Sequence, residues 1–142
     1  MDIIEALQSK NNTEAYNLLL KLEAQSAQSN ELYDFFGDFV DLLQSKSSFV
    51  RVRGFRLACA QARWDTENRI EANLPVLLSM LDDDKPAAVR QCLAALHGAL
   101  LYKPGLSKAI SGKLDRMDLS KYKESMSHLI SKDMEELRDY MG

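Results

Sequence analysis

The chain has 142 residues, which is enough for one compact domain and too few for two of ordinary size. Hydrophobic residues make up 46% of the sequence, and the net charge of −3 provides no overall attraction to nucleic acid or to an anionic membrane. The acidic N-terminus lacks the features of a signal peptide, and no apolar run approaches the roughly 18 residues of a membrane span. We therefore expect a single cytoplasmic domain over residues 1–142, without a membrane segment.

In the first half of the chain the apolar residues recur at helical spacing. A cap-like cluster at Asn11–Thr13 precedes the second helix, and Asn30 is the expected N-cap of the third. The pattern predicts four helices, which carry apolar residues at 3–7, 15–22, 32–43 and 49–62.

The second half continues the same helical spacing. Apolar residues at 70–81 predict a helix with a kink or a late start at Pro75, and Asp82–Asp84 form a turn before a helix that opens at Pro86. A short helix follows at 106–114, and Asp118 is the expected cap of a last helix with an apolar stripe to Met141. No segment alternates β-branched and polar residues between hairpin turns, so the fold class is all-α.

Two segments of the chain repeat the same pattern at an offset of 37 residues. Val52-Arg53 in the first segment corresponds to Val89-Arg90 in the second. Each segment consists of an apolar helix, a polar turn, the Val-Arg pair and a second apolar helix. Repetition at this period is typical of stacked helical hairpins, because a single hairpin cannot bury its apolar face alone.

The better preserved segment runs from Leu74 to Leu96. Its first helix begins with Leu74-Pro75, its turn is Asp82–Pro86, and Val89-Arg90 opens its second helix. This segment resembles a HEAT repeat. A weaker match covers Leu32 to Trp64, which lacks both the proline and the turn aspartate.

The resemblance implies an armadillo-like α-α superhelix of about three helical hairpins with a long C-terminal helix. The clearest repeats would span about 31–64 and 69–102, and residues 1–30 and 103–142 would form capping helices. The resemblance is specific for the fold, and it carries almost no information about the function.

Charge is distributed unevenly along the chain. Residues 1–45 carry a net charge of −6, whereas residues 46–69 carry +4. On a helical wheel, Arg53, Arg56, Arg63 and Trp64 fall within about a quarter turn of each other. The resulting face could bind phosphate or a base, or its arginines could pair within the protein.

We predict a non-catalytic protein-binding scaffold that uses a groove lined by the second helices, with a protein or peptide as partner. The candidate contact residues are Arg53, Arg56, Arg63, Trp64, Arg90 and His97. A nucleic-acid-binding protein that uses the arginine-rich helix 49–64 is the alternative. A structural interpretation pairs the arginines with turn aspartates, with carbonyls of the adjacent repeat, or with the acidic neighbours Asp34, Asp38 and Asp41.

Few residues of the sequence are candidates for catalysis or metal binding. Cys59 and Cys92 form no CxxC motif, and we expect both to be buried free thiols. An enzyme with a Cys–His site that includes His97 is a further alternative. His128, the other histidine, has no histidine or carboxylate three or four residues further along the chain. Asp82–Asp84 lack the spacing of a calcium loop and are expected to cap the helix at Pro86. We predict no catalytic residue, no metal and no cofactor.

The last helix carries methionines and tyrosines that could form a binding face. Met126, Met134, Met141, Tyr122 and Tyr140 suit either a partner or a dimer contact, or else the packing of a C-terminal cap. We therefore expect a monomer or a weak dimer formed through this helix.

Overall fold

The computed structural model describes residues 2–142, and this part of the chain folds into α-helices and short 3-10 segments without a β-strand. The all-α prediction is confirmed. The α-helices are α1 (Ile3–Leu7), α2 (Asn12–Gln28), α3 (Phe36–Asp41), α4 (Ser48–Ala60), α5 (Arg69–Ala72), α6 (Leu74–Leu78), α7 (Pro86–Tyr102), α8 (Ser107–Arg116) and α9 (Glu124–Met141). The 3-10 segments are Tyr33–Phe35, Leu42–Gln44, Ala62–Trp64, Ser79–Asp82 and Pro104–Leu106.

Several predicted helix ends are confirmed. Asn11 is the N-cap of α2, since its side chain accepts a hydrogen bond from the Glu14 amide at 3.1 Å. α7 begins at Pro86. The predicted break near Pro75 separates α5 from α6, because proline is tolerated only in the first turn of a helix.

Two predicted caps are wrong. Asn30 does not cap a long third helix: a 3-10 segment precedes α3, and another follows it. Asp118 accepts hydrogen bonds from Ser120 in a turn, and α9 begins only after Lys123, whose backbone is extended. The prediction extended the helix too far towards the N-terminus because Leu119 continues the apolar spacing. Leu119 packs against the core without being part of a helix.

The helices pack in successive pairs. α1 contacts α2, α3 contacts α4, the 3-10 segment after α6 contacts α7, and α8 contacts α9. The long last helix is therefore the second member of a fourth pair, rather than an addition to three hairpins. Across pairs, α4 packs on α2 and α7, and α9 packs on α7. We refer to α2, α4, α7 and α9 as the helix row.

Helix α4 is the most enclosed member of the helix row. Phe55, Leu57 and Ala58 are fully buried, and they point to different sides of the helix. Gly54 lies where α4 approaches the end of α3 most closely. A Cβ atom there would clash with the carbonyl oxygen of Phe39 and lie 2.7 Å from Cβ of Leu42.

A buried carboxylate joins the second and third pairs. Asp65 caps α5 by accepting hydrogen bonds from the amides of Arg69 and Ile70, and it accepts a third from the hydroxyl of Tyr33 at 2.6 Å. Lys103, just beyond α7, lies 3.1 Å from the same carboxylate. Burial favours a raised pKa for Asp65, but these hydrogen bonds outweigh it and lower the pKa below 3.8.

Replacing Gly54 with alanine should lower the free energy of unfolding by about 1–3 kcal/mol, because the new methyl group overlaps backbone that cannot move aside. Urea unfolding monitored by circular dichroism measures the change. Gly98→Ala in α7 is the matched control. It meets no atom within 4 Å and should raise stability by about 0.5–1 kcal/mol. Equal effects of the two substitutions would contradict the close packing of α3 on α4.

Asp65→Asn should lower the free energy of unfolding near neutral pH by about 1–3 kcal/mol, since the buried hydrogen bonds to a charged acceptor are weakened. The folded-state pKa of Asp65 is depressed, so its contribution is present above 3.8 and is lost as the pH falls through the folded-state pKa. Urea unfolding at several pH values should show the difference between the two proteins shrinking in acid. A difference that grows in acid would refute this account.

Candidate functional site

Three of the depressions on the exposed surface of the helix row adjoin one another. The N-terminal groove, about 610 Å³, lies between the first turns of α2, α4 and α7. A central hollow of about 280 Å³ lies further along the same three helices, and the C-terminal groove, about 510 Å³, separates α7 from α9. Gln91 lines all three. We call this continuous region, centred on Gln91, the row surface.

The N-terminal groove is mostly apolar. Leu19, Val52 and Ala88 are buried beneath it, while Tyr16 and Phe49 stand at its sides with 47% and 57% of their surfaces exposed. Its charged lining residues are Arg53 and Lys85, and no aspartate or glutamate lines it.

The C-terminal groove is more polar, and its charges pair with each other. Arg90 on α7 donates to Asp133 on α9 at 2.6 Å, and this hydrogen bond raises the pKa of Arg90. Glu136 and His97 also line the groove. The ring of His97 packs edge-on against Tyr140, with 5.2 Å between centroids.

The predicted arginines of α4 face the first helix pair. Arg53 is buried and donates to the carbonyl of Leu7 at 2.8 Å and to the side chain of Asn12 at 2.9 Å. Arg56 forms a bidentate pair with Glu23 on α2, at 2.7 and 3.0 Å. The guanidinium of Arg56 also donates to Gln91 at 3.1 Å.

Arg63 and Trp64 extend the same contact to the C-terminal end of α2. The indole of Trp64 donates to the Ser26 carbonyl at 2.7 Å, and Arg63 donates to the carbonyl of Ala27. The Arg63 guanidinium also lies 4.7 Å from the ring centroid of Tyr102 on α7. The side shared by these residues is therefore an interface between helix pairs.

The structure separates the six predicted contact residues. Arg53, Arg56, Arg90 and His97 line parts of the row surface, whereas Arg63 and Trp64 line none of the three depressions. The arginines pair within the protein, as the structural interpretation expects, but with Glu23 and backbone carbonyls and not with the three neighbours named as examples, Asp34, Asp38 and Asp41. None of them takes part in an ion pair of the described chain, because Glu23 and backbone carbonyls lie closer to the arginines.

Sequence reasoning missed Tyr16, Phe49 and Gln91. Phe49 is the first of the apolar residues predicted over 49–62, but it lies in the first turn of α4 and is largely exposed. The adjacent Val50 is buried. Two consecutive helical residues point in directions about 100° apart, so only the packing of α4 decides which of Phe49 and Val50 is buried.

Two aspartates of the turn before α7 form ion pairs with the neighbouring helix pairs. Asp83 lies 2.8 Å from Arg51 of α4, and Asp82 pairs with Lys113 of α8. The N-cap of α7 is Lys85, and its side chain makes no capping hydrogen bond. The expectation that Asp82–Asp84 cap α7 is wrong, since the Asp83 carboxylate lies against Arg51 and the Lys85 amide instead of the first amides of the helix.

The two thiols occupy an apolar interior. Cys59 and Cys92 are both buried and free. Burial raises the pKa of Cys59 to about 12, and it also raises the pKa of Cys92 well above 9.0. A nucleophilic thiol needs a lowered pKa, so the environment of both cysteines opposes the Cys–His alternative.

The apolar stripe of α9 faces the protein. Ile130 and Leu137 are fully buried, and Met134 and Met141 are partly buried against the core. Tyr140 remains 48% exposed. Most of the predicted methionine face is therefore engaged in packing on α7 and α8, as a terminal cap requires.

No family model matches the sequence, and no curated protein or solved structure matches the chain. Within residues 2–142, no helix combines the length and the apolar character needed to cross a membrane. Over the same range, His, Cys, Asp and Glu side chains form no group of three or more that could hold a metal ion.

Cys59 and Cys92 should react with a thiol reagent such as Ellman's reagent more than about a hundredfold more slowly than an exposed cysteine, because both require local or global unfolding. The change in absorbance with time measures both rates. Ala109→Cys, on the exposed side of α8, supplies the reference thiol in the same protein. Rapid labelling of either native cysteine would restore the enzyme alternative.

Proposed function

We propose that this chain is a non-catalytic protein-binding module of the HEAT-repeat type, which holds a segment of a partner protein on the row surface. The observation that carries the proposal is the continuity of that surface: Gln91 joins the three depressions across α2, α4, α7 and α9. Concave surfaces made by a row of stacked helices are what repeat proteins use for binding.

The arrangement of the helix pairs supports the HEAT-like part of the proposal. Leu74-Pro75 begins α6, the aspartates lie between α6 and α7, and Val89-Arg90 lies near the start of α7. α4 and α7 are equivalent second helices and pack directly on each other. This support is an analogy at the level of the fold, so the binding surface has to be argued from the residues that line it.

The charges of the row surface favour a protein partner over nucleic acid. Arg56 is engaged by Glu23, and Arg90 by Asp133, so both guanidiniums already have a carboxylate. Affinity for nucleic acid normally comes from several contacts with phosphates. Asp133 and Glu136 would repel a phosphate backbone in the C-terminal groove.

The proposal includes the cytoplasm as the location. Cys59 and Cys92 are free thiols, which are typical of a reducing compartment.

A photo-crosslinking amino acid in place of Gln91 should form adducts with the same partner protein in repeated experiments in the source cells, because position 91 lies at the centre of the row surface. Mass spectrometry of the adducts identifies the partner. A second substitution, Ala94→Trp, should abolish the adduct, since Ala94 is exposed and lines the central hollow and the C-terminal groove.

Ala109→Trp on α8 is the matched control, because it adds the same bulk to an exposed alanine outside the row surface. It should leave the adduct intact. Adducts that survive Ala94→Trp, or that contain only nucleic acid or a second copy of the chain, would contradict the proposed function.

A further inference from the structure

The N-terminal groove holds positive charge that the protein does not neutralise. Only 4% of the surface of Arg53 is exposed, yet the hydrogen bonds of its guanidinium go to uncharged oxygens, the carbonyls of Leu7 and Ser9 and the side chain of Asn12. Lys85, which also lines the groove, is exposed. Neither residue takes part in an ion pair of the described chain.

The other arginines of α4 and α7 each have a carboxylate partner. Arg51, Arg56 and Arg90 each have a carboxylate within 2.9 Å, although all three are more exposed than Arg53. A buried charge is costly unless it is paired, and the burial of Arg53 lowers the pKa of its guanidinium. A carboxylate that enters the groove from outside would meet a guanidinium that is positioned by hydrogen bonds and lacks a counter-charge.

The remaining lining of the groove suits a bulky apolar side chain. The exposed rings of Tyr16 and Phe49 flank an apolar floor, and a cavity of about 610 Å³ accommodates several side chains of a bound segment. Exposed aromatic residues provide large contact areas for little loss of side-chain entropy, and they are common among residues that dominate binding.

We propose that the N-terminal groove binds an acidic segment of a partner protein, in which an Asp or Glu side chain lies next to a bulky apolar residue. The carboxylate pairs with Arg53 and Lys85, and the apolar side chain packs between Tyr16 and Phe49. This inference rests on the proposed binding function and specifies the chemistry of the partner.

A phosphate backbone fits the groove less well than an acidic peptide. The groove offers two cationic side chains, whereas nucleic-acid binding depends on neutralising many phosphates. Its walls are mainly apolar, so a polyanion would leave the rings and the floor without partners. Short duplex DNA is therefore included in the test as the competing class of ligand.

The test begins with selection from a library of short random peptides displayed on phage, with the full chain immobilised. The enriched peptides should carry Asp or Glu beside a bulky apolar residue. A fluorescein-labelled copy of the strongest peptide is then titrated by fluorescence polarisation. Replacing its carboxylates with the corresponding amides should weaken binding to the native chain by about tenfold, through loss of the charged hydrogen bonds.

Two substitutions and two matched controls locate the binding site. Lys85→Glu should lower the affinity for the labelled peptide by about tenfold, and Lys108→Glu on α8 should change this affinity by less than about twofold. Phe49→Ser should also lower the affinity for the peptide by about tenfold, whereas Leu101→Ser should leave this affinity unchanged. Leu101 is as exposed as Phe49, at 61% against 57%, but it lies at the far end of α7.

Enrichment of neutral or basic peptides, no enrichment at all, or binding by the Lys85→Glu or Phe49→Ser variant that is as tight as binding by the native chain would overturn the inference. Displacement of the labelled peptide by duplex DNA at physiological salt would also overturn it. None of these results alters the crosslinking at Gln91, so failure of this inference is distinguishable from failure of the proposed function.

Discussion

The burial of α4 on nearly all sides is the constraint on which the rest of the structure depends. A helix with fully buried Phe55, Leu57 and Ala58 has to be covered by α2, α3 and α7 together, because stacked neighbours are the only source of that much apolar surface. Gly54 lets α3 approach closely enough to complete the enclosure. The depressions of the row surface are the gaps that remain between helices held in this arrangement.

The enclosure of α4 also decides the role of its arginines. A guanidinium at the boundary of a packed helix needs partners within reach, so Arg53 and Arg56 bind the first helix pair, and Arg51 binds the turn before α7. Arg90 repeats the arrangement between α7 and α9. Long side chains with several donors thus connect successive pairs at places where the apolar contacts end, and few of these charges remain for a ligand.

Among the arginines of α4 and α7 in the described chain, Arg53 alone has no carboxylate partner. Its charge is held by carbonyl and amide oxygens at the edge of an apolar groove, whereas the C-terminal groove balances Arg90 with Asp133. The two ends of the row surface therefore differ in electrostatic character. For the proposed partner segment, such a difference would favour one direction of binding, because complementary charge selects register more strongly than it adds affinity.

The sequence by itself determined the features that arise within one or two helical turns: the all-α class, the cap at Asn11 and the start of α7 at Pro86. It also placed Arg53, Arg56, Arg63 and Trp64 on one side, because helical spacing is local. Only the tertiary structure decided that this side faces α2 and that the ring of Phe49 stays exposed. The physical reason is that burial and charge pairing depend on atoms brought close from distant parts of the chain.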